Sequence, residues 1–287
     1  MFKKISLLLV LVLILSIFAA GCGNDNDVKS EDNNDAAKDT SLTDIQDKGT
    51  LVVGCDTEFP PMGFIGDDGE LTGFDLELAA LVAEKLGVKS EPKAINWDTK
   101  EIELNNGNID VIWNGYTIKK DRNEKVEYTK PYLNNQQVLV VAADSPYEKK
   151  SDLEGKTVGA QVKSAGLDAL KADDLASTLK AIPEYEAYTY ALMDLETSRL
   201  DALAVDKILI RYAMQQNPGK YKVLDEGLCN EYYGIGCAKG AVALREAIDK
   251  ALDELQEDGS IDKLSKKWFG ENLVVRDVEK LTDADFE

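Results

Sequence analysis

Residues 5–20 form an almost unbroken apolar run, residues 23–40 are almost wholly polar, and from about Ser41 apolar positions recur in short blocks between polar turns. Within that third region, Phe74, Leu78, Leu81, Val82 and Leu86 fall on one face of a helix over 74–86, with Gly87 to end it. Short apolar runs predict strands at 51–54, 109–113, 138–141, 157–160 and 202–205. Helical periods lie between and after them, at about 166–170, 190–197, 207–215, 244–255 and 261–268. Asp98 with Glu101 three residues on reads as a capping box for a further short helix. Alternating β and α units predict an α/β architecture with a parallel, doubly wound sheet.

The N-terminus belongs to another kind of segment. Met1-Phe2-Lys3-Lys4 is a basic start, and Ala19-Ala20-Gly21-Cys22 closes the apolar run with small residues. That is a secretory signal arrangement. The run is shorter than the roughly 20 residues that span a bilayer, which disfavours a transmembrane anchor. The cysteine after small residues resembles a bacterial lipobox, in which it is lipidated and becomes the mature N-terminus; the position that usually holds Leu is Ala19. We read 1–21 as a lipoprotein signal peptide, Cys22 as the lipidation site and 22–40 as a flexible tether. With one Val and two Ala as the apolar content of 23–40, the tether cannot bury a core of its own.

Composition narrows the chemistry. The 287 residues are 44% hydrophobic, enough for a packed core. Lys and Arg number 33 against 53 Asp and Glu, a formal net charge of −20, which speaks against nucleic acid as a partner. There is no histidine, so Ser-His-Asp and Cys-His catalysis and imidazole-bound zinc are excluded. Cys55, Cys229 and Cys237 cannot all pair with one another; one disulfide with a free thiol, or three thiols, are both open. Their spacing matches no metal site, and no cofactor is called for.

Seven pieces of the body resemble, in order and spacing, the extracellular solute-binding proteins of polar amino-acid ABC transporters. They are Val53-Gly54-Cys55-Asp56-Thr57-Glu58-Phe59-Pro60-Pro61, Leu71-Thr72-Gly73-Phe74-Asp75-Leu76, Gly107-Asn108-Ile109-Asp110-Val111-Ile112, Gly115-Tyr116-Thr117-Ile118 with Arg122, Ser151-Asp152-Leu153-Glu154-Gly155-Lys156, the stretch 201–206, and Asp258-Gly259-Ser260 followed by Lys267-Trp268-Phe269-Gly270. The resemblance implies a two-lobed, periplasmic-binding-protein-like (type II) α/β fold, with two hinge strands and a ligand cleft between the lobes. It places lobe one at 41–134 plus 235–287 and lobe two at 135–234. Function follows as an expectation: a polar or basic amino acid is bound in the cleft by hinge closure and delivered to a membrane permease and its ATPase. The protein would act as a monomer, held at the outer face of the bacterial membrane by its lipid.

A zwitterionic amino acid needs an anion site, a cation site and a side-chain pocket. Arg122 suits the carboxylate, because guanidinium binds it through two parallel hydrogen bonds; Thr117 adds a hydroxyl and Gly115 the backbone geometry. Asp206, after the run 202–205, is assigned by resemblance to the α-amino group, with a helix N-cap as the plainer role. Asp56, Phe59 and Trp97 enter the side-chain pocket, the rings offering apolar area and attraction for a cation. From lobe two, the loop 161–166 matches one that supplies backbone N–H groups, through Gln161, Ser164 and Ala165. Lys163-Ser164-Ala165 stands where the family commonly reads Gly-Ser-Thr or Gly-Thr-Thr, so a hydroxyl is missing at Ala165 and a lysine replaces a glycine. Asn114 and Tyr116 complete the expected wall.

Two other functions share the fold. An enzyme of the cyclic-acid dehydratase kind would need a carboxylic acid with a raised pKa, and Asp56, Glu58, Asp98 and Asp206 each have a simpler binding or capping role. A sensor lobe would usually continue into a transmembrane helix and a cytoplasmic domain. The expected protein is not an enzyme.

Overall fold

The computed structural model describes residues 38–276. The signal segment 1–21, Cys22 and the tether up to residue 37 lie outside the described residues. No described helix is long and apolar enough to cross a membrane.

Ser41–Lys48 (α1) packs Ile45 inward and leads into Thr50–Cys55 (β1), whose Leu51 and Val53 are buried. Glu58–Phe59 (β2), Gly63–Ile65 (β3) and Leu71–Thr72 (β4) form a small antiparallel sheet. Phe74–Leu86 (α2) fills the expected span and buries Phe74, Leu78, Val82 and Leu86. Gly73 before it has φ 136°, and a Cβ there would stand 2.2 Å from the Met62 carbonyl oxygen, so only glycine lets α2 start this close to the neighbouring backbone. Lys89–Ala94 (β5), Lys100–Asn105 (α3), Val111–Ile112 (β6), Lys120–Asn123 (α4) and Val126–Tyr128 (β7) follow.

The chain then crosses on Leu133–Ala142 (β8) into Val158–Gln161 (β9), Ala165–Ala172 (α5), Glu184–Tyr185 (β10), Tyr188–Glu196 (α6), Ala202–Asp206 (β11), Lys207–Gln216 (α7) and Tyr221–Val223 (β12). It returns on Cys229–Tyr233 (β13) to Gly236–Ala238 (β14), Val242–Glu257 (α8) and Ser260–Phe269 (α9).

The first sheet has the order β5-β1-β6-β14-β7; the second runs β10-β9-β11-β8, with β12 and β13 sharing the far edge of β8. The wholly parallel sheet expected from the β/α alternation is corrected here. β1 is parallel to β5 and β6, and β9 to β10 and β11, but β14 is antiparallel to β6 and β7, and β8 to β11, β12 and β13. The reversed strands are those that carry the chain into and out of the second sheet, where no helical crossover restores direction.

The stretches 138–142 of β8 and 202–205 of β11 read as unbroken apolar runs because both of their faces are covered. Val138 and Val140 join one core cluster with Leu203 and Val205, whereas Leu139 and Val141 join another with Ala202 and Ala204. Two local expectations also change. Asp98 is not a cap: the Asn96 side chain accepts from the Asp98 N–H at 3.2 Å, and α3 starts at Lys100 without a side-chain cap. The strand expected over 109–113 narrows to β6, because the Asp110 carboxylate takes the Val52 N–H at 2.6 Å in place of a backbone carbonyl.

Candidate functional site

Backbone ends bring the expected residues together. Phe59 ends β2, Gly115 and Thr117 lie in the loop after β6, Arg122 is on α4, Gln161 ends β9, Ser164 caps α5 and Asp206 ends β11. Ligand sites in open α/β sheets form at such strand ends. Phe59, Trp97, Gly115, Thr117, Arg122, Gln161, Ser164, Ala165 and Asp206 line one enclosed space of about 10 Å³, joined by Tyr188. A larger groove of about 640 Å³, bordered by Lys207, Arg211, Tyr212 and Trp268, gathers none of the expected residues.

At the cationic end, Arg122 is 4% exposed. Its guanidinium lies 4.7 Å over the Tyr116 ring and donates to the Thr117 carbonyl at 3.0 Å and the Lys163 carbonyl at 3.1 Å. Tyr116 stacks on Tyr128 with ring centroids 5.0 Å apart and donates its hydroxyl to Glu101 at 3.0 Å. Tyr116 therefore supports Arg122 from behind and is not a wall of the space. Asn114 is corrected in the same way: its Oδ1 accepts from the Asp56 N–H at 3.0 Å and holds the β1 end in place.

Gly115 has φ +57°, and a Cβ would fall 2.7 Å from Phe59 Cε1. Its N–H donates to Asp75 Oδ2 at 2.7 Å, where the Tyr132 hydroxyl also donates at 2.9 Å. Asp75 is fully buried, and desolvation pushes its carboxyl up to about 7. Sequence reasoning gave Asp75 no role, although a signal existed. Asp75, Ala79 and Val82 share a helical stripe, so the carboxylate stands on the buried face of α2.

Asp56, expected in the pocket, is buried and does not line the space. It accepts from the Glu58 N–H at 2.9 Å, the turn-capping role, and from Gln161 Nε2 at 2.7 Å across the two lobes. Desolvation raises its pKa. Phe59 packs against Tyr188 at 5.8 Å, and Trp97 meets Tyr116 edge-on at 5.9 Å. Tyr188 was missed because α6 starts two residues before the expected helix at 190. Lys100, also missed, is 1% exposed, lies 4.7 Å over Trp97 and donates to the Trp97 carbonyl at 3.0 Å; desolvation brings its pKa down to about 7. Lys163 turns outward instead, its Nζ on the Asp98 carbonyl at 2.9 Å, so it is no pocket cation.

At the anionic end Asp206 is 4% exposed. It precedes α7 but makes no side-chain cap. Its Oδ1 accepts from Asn135 at 2.9 Å, Gln137 at 2.8 Å and Tyr233 at 2.5 Å, and its Oδ2 from Tyr188 at 3.1 Å. Glu231 shares the amides, accepting from Asn135 at 2.5 Å and Gln137 at 2.8 Å, and takes the Thr117 hydroxyl at 3.0 Å. Asn135, Gln137, Glu231 and Tyr233 all come from the crossing strands β8 and β13, where period-two alternation aims them at one side. Their only sequence signal was the polar run 134–137 ahead of an apolar strand. Cys55 and Cys237 are buried thiols and Cys229 is an exposed one.

A family model described as bacterial extracellular solute-binding proteins, family 3, matches residues 51–271. The L-cystine-binding protein TcyJ of Escherichia coli (strain K12) is 32% identical over 236 residues, covering 81% of this chain and 87% of that protein. The L-cystine-binding protein TcyA of Bacillus subtilis (strain 168) is 32% identical over 271 residues, covering 93% and 98%. Among solved structures, an ABC uptake transporter substrate-binding protein from Streptococcus pneumoniae with bound histidine superposes with a TM-score of 0.80 at 36% identity, covering 83% of this chain and 99% of that one.

Proposed function

We propose that this chain, which belongs to the bacterial extracellular solute-binding proteins of family 3, is the substrate-binding component of an amino-acid ABC importer and takes a polar or basic amino acid between its lobes. The observation that carries the reading is that opposite charges, the Arg122 guanidinium and the Asp206 carboxylate, line one enclosed space. A guanidinium suits an α-carboxylate, and a buried carboxylate suits an α-ammonium. Phe59, Trp97 and Tyr188 give the side chain an aromatic wall, which suits a cationic or disulfide-bearing side chain equally.

No step of bond-making is needed for this role. The Asp56 and Glu58 carboxylates are engaged with a backbone N–H or with the other lobe, which favours a receptor over a dehydratase. In this reading the signal segment directs export, Cys22 carries the lipid, and the tether keeps the receptor near its permease, raising its local concentration. Replacement of Cys22 by Ser should release the protein into the medium; retention in the membrane fraction would refute the anchor.

The ligand is tested by thermal shift on residues 38–287 with each of the twenty amino acids, cystine and ornithine. At a hundredfold excess over Kd, binding to the native state adds about 2.7 kcal/mol. A shift with one or a few polar or basic amino acids is expected. A protein freed of carried-over ligand that shifts with none of them would overturn the reading.

A further inference from the structure

At the ammonium end of the site Asp206 lines the enclosed space, and a second carboxyl group, Glu231, lies against it and borders the adjoining groove. Asp206 and Glu231 are 4% and 3% exposed, and the amides of Asn135 and Gln137 donate to both. Among the described residues, no lysine or arginine nitrogen comes within ion-pairing distance of either. Two ionised carboxylates this close, away from water and without a cation, repel each other strongly, so one of them holds a proton.

Resting on the amino-acid reading above, we propose that Asp206 and Glu231 form one ammonium receptor, which carries a shared proton without ligand and releases it when the cationic amine enters. Glu231 is then a positioning residue that acts through Asp206, set against it by the crossing strand β13. In the step itself the O–H bond of the Glu231 carboxyl breaks and its proton passes to the buffer. The ammonium, held at Asp206, balances the charge left on Glu231, and the buried pair exchanges one positive charge for another.

The surroundings support this assignment of the proton. Burial, then the Asp206 charge, raise the Glu231 pKa well above the usual glutamate value, and burial raises that of Asp206. A hydrogen bond between the two favours ionised Asp206 and protonated Glu231. The other titratable groups facing the pair are Tyr188 from α6, and Tyr233 and Cys229 from β13. Burial pushes both phenols well above their ordinary value, and burial with the two carboxylates pushes Cys229 to about 11. The lysines on neighbouring elements are committed elsewhere, Lys119 to Asp168 and Lys207 to the Gln136 side chain. The shared proton thus sits on the pair, with the balance toward Glu231.

The test is calorimetry of the wild-type protein with L-arginine, L-glutamine and L-cystine at constant pH, in buffers of different ionisation enthalpy. Release of about one proton per amino acid bound is expected, and on the acid side Kd should fall about tenfold per pH unit. Glu231→Gln, which keeps the shape and an acceptor oxygen, should bind without proton release and with a flat pH profile. Infrared difference spectra, ligand-free minus ligand-bound, give a second readout in which the unchanged Asp75 acid cancels: a carboxylic-acid carbonyl band should be present in wild type and absent from Glu231→Gln. Amino-acid binding without proton release, or a wild-type protein lacking that band, would overturn the proposal while the binding function stands. No binding heat with any of the three would overturn the amino-acid reading itself, and the displacement step with it.

Discussion

Arg122 shows how one side chain can be committed before a ligand arrives. Its guanidinium is stacked on Tyr116 and held by two backbone carbonyls, so little side-chain freedom remains to be lost on binding. Arg122→Ala should abolish amino-acid binding while the fold still melts cooperatively, and unchanged affinity by calorimetry would remove Arg122 from the carboxylate role. Asp206→Asn should weaken ligands with a free α-amino group more than their N-acylated analogues; an equal loss would make Asp206 purely structural. Asp75 acts differently, through stability. Its native carboxyl is raised from the ordinary 3.8 to about 7, so between those values the folded state binds more protons than the unfolded chain. Stability therefore falls as pH rises through that window, by roughly 1.4 kcal/mol per pH unit at most. Asp56, Asp206 and Glu231 are raised too and slope the same way, so the Asp75 share is read as the difference between wild type and Asp75→Asn in urea melts at several pH values. Parallel curves would mean that Asp75 is ionised in the native protein.

At the scale of elements, the loop after β6 is built around Gly115. Its positive φ and the closeness of Phe59 leave no room for a side chain, and its N–H is tied to α2 through Asp75. Gly115→Ala should cost about 1–2 kcal/mol of stability from backbone strain alone. It should also weaken binding at least tenfold by shifting Phe59 and Thr117, and an unchanged Kd would show that the loop is not part of the site. The crossing strands carry a second lesson. Asn135 lies opposite Glu231 in the antiparallel register of β8 and β13, and both point toward Asp206, which comes from β11. Neither crossing strand has a motif at those positions. A strand pattern says which residues share a face, but not which third strand that face will meet.

The molecule as a whole is closed across its cleft. Gln161 donates to Asp56 at 2.7 Å, Thr189 to Glu58 at 2.5 Å and Lys163 to the Asp98 carbonyl at 2.9 Å, each joining one lobe to the other. A space of about 10 Å³ is close to the volume that holds one water, so an amino acid enters only when the lobes part. These contacts bias the hinge toward closure, and small-angle scattering can weigh them. The Gln161→Ala, Thr189→Ala double variant should show a larger radius of gyration than wild type without ligand and a higher Kd. Ligand should bring both proteins to the same closed dimensions. Equal radii without ligand would mean that the contacts do not set the balance.

The chain by itself determined the spans of its main helices, the two-lobed α/β class, and most of the residues that meet in the cleft. Those features rest on local periodicity, on glycines that no other residue can replace, and on motifs whose order survives in the sequence. Long-range geometry decided the rest. Strand direction depended on how the chain crosses between sheets, which periodicity does not encode. The roles of Asp75, Lys100, Tyr188 and Glu231 came from desolvation and from partners far away in sequence, as in the 114 positions between Thr117 and Glu231. Asn114 and Tyr116 moved from the wall to its support for the same reason: burial and hydrogen-bond direction belong to the folded molecule, and a residue's neighbours along the chain do not reveal them.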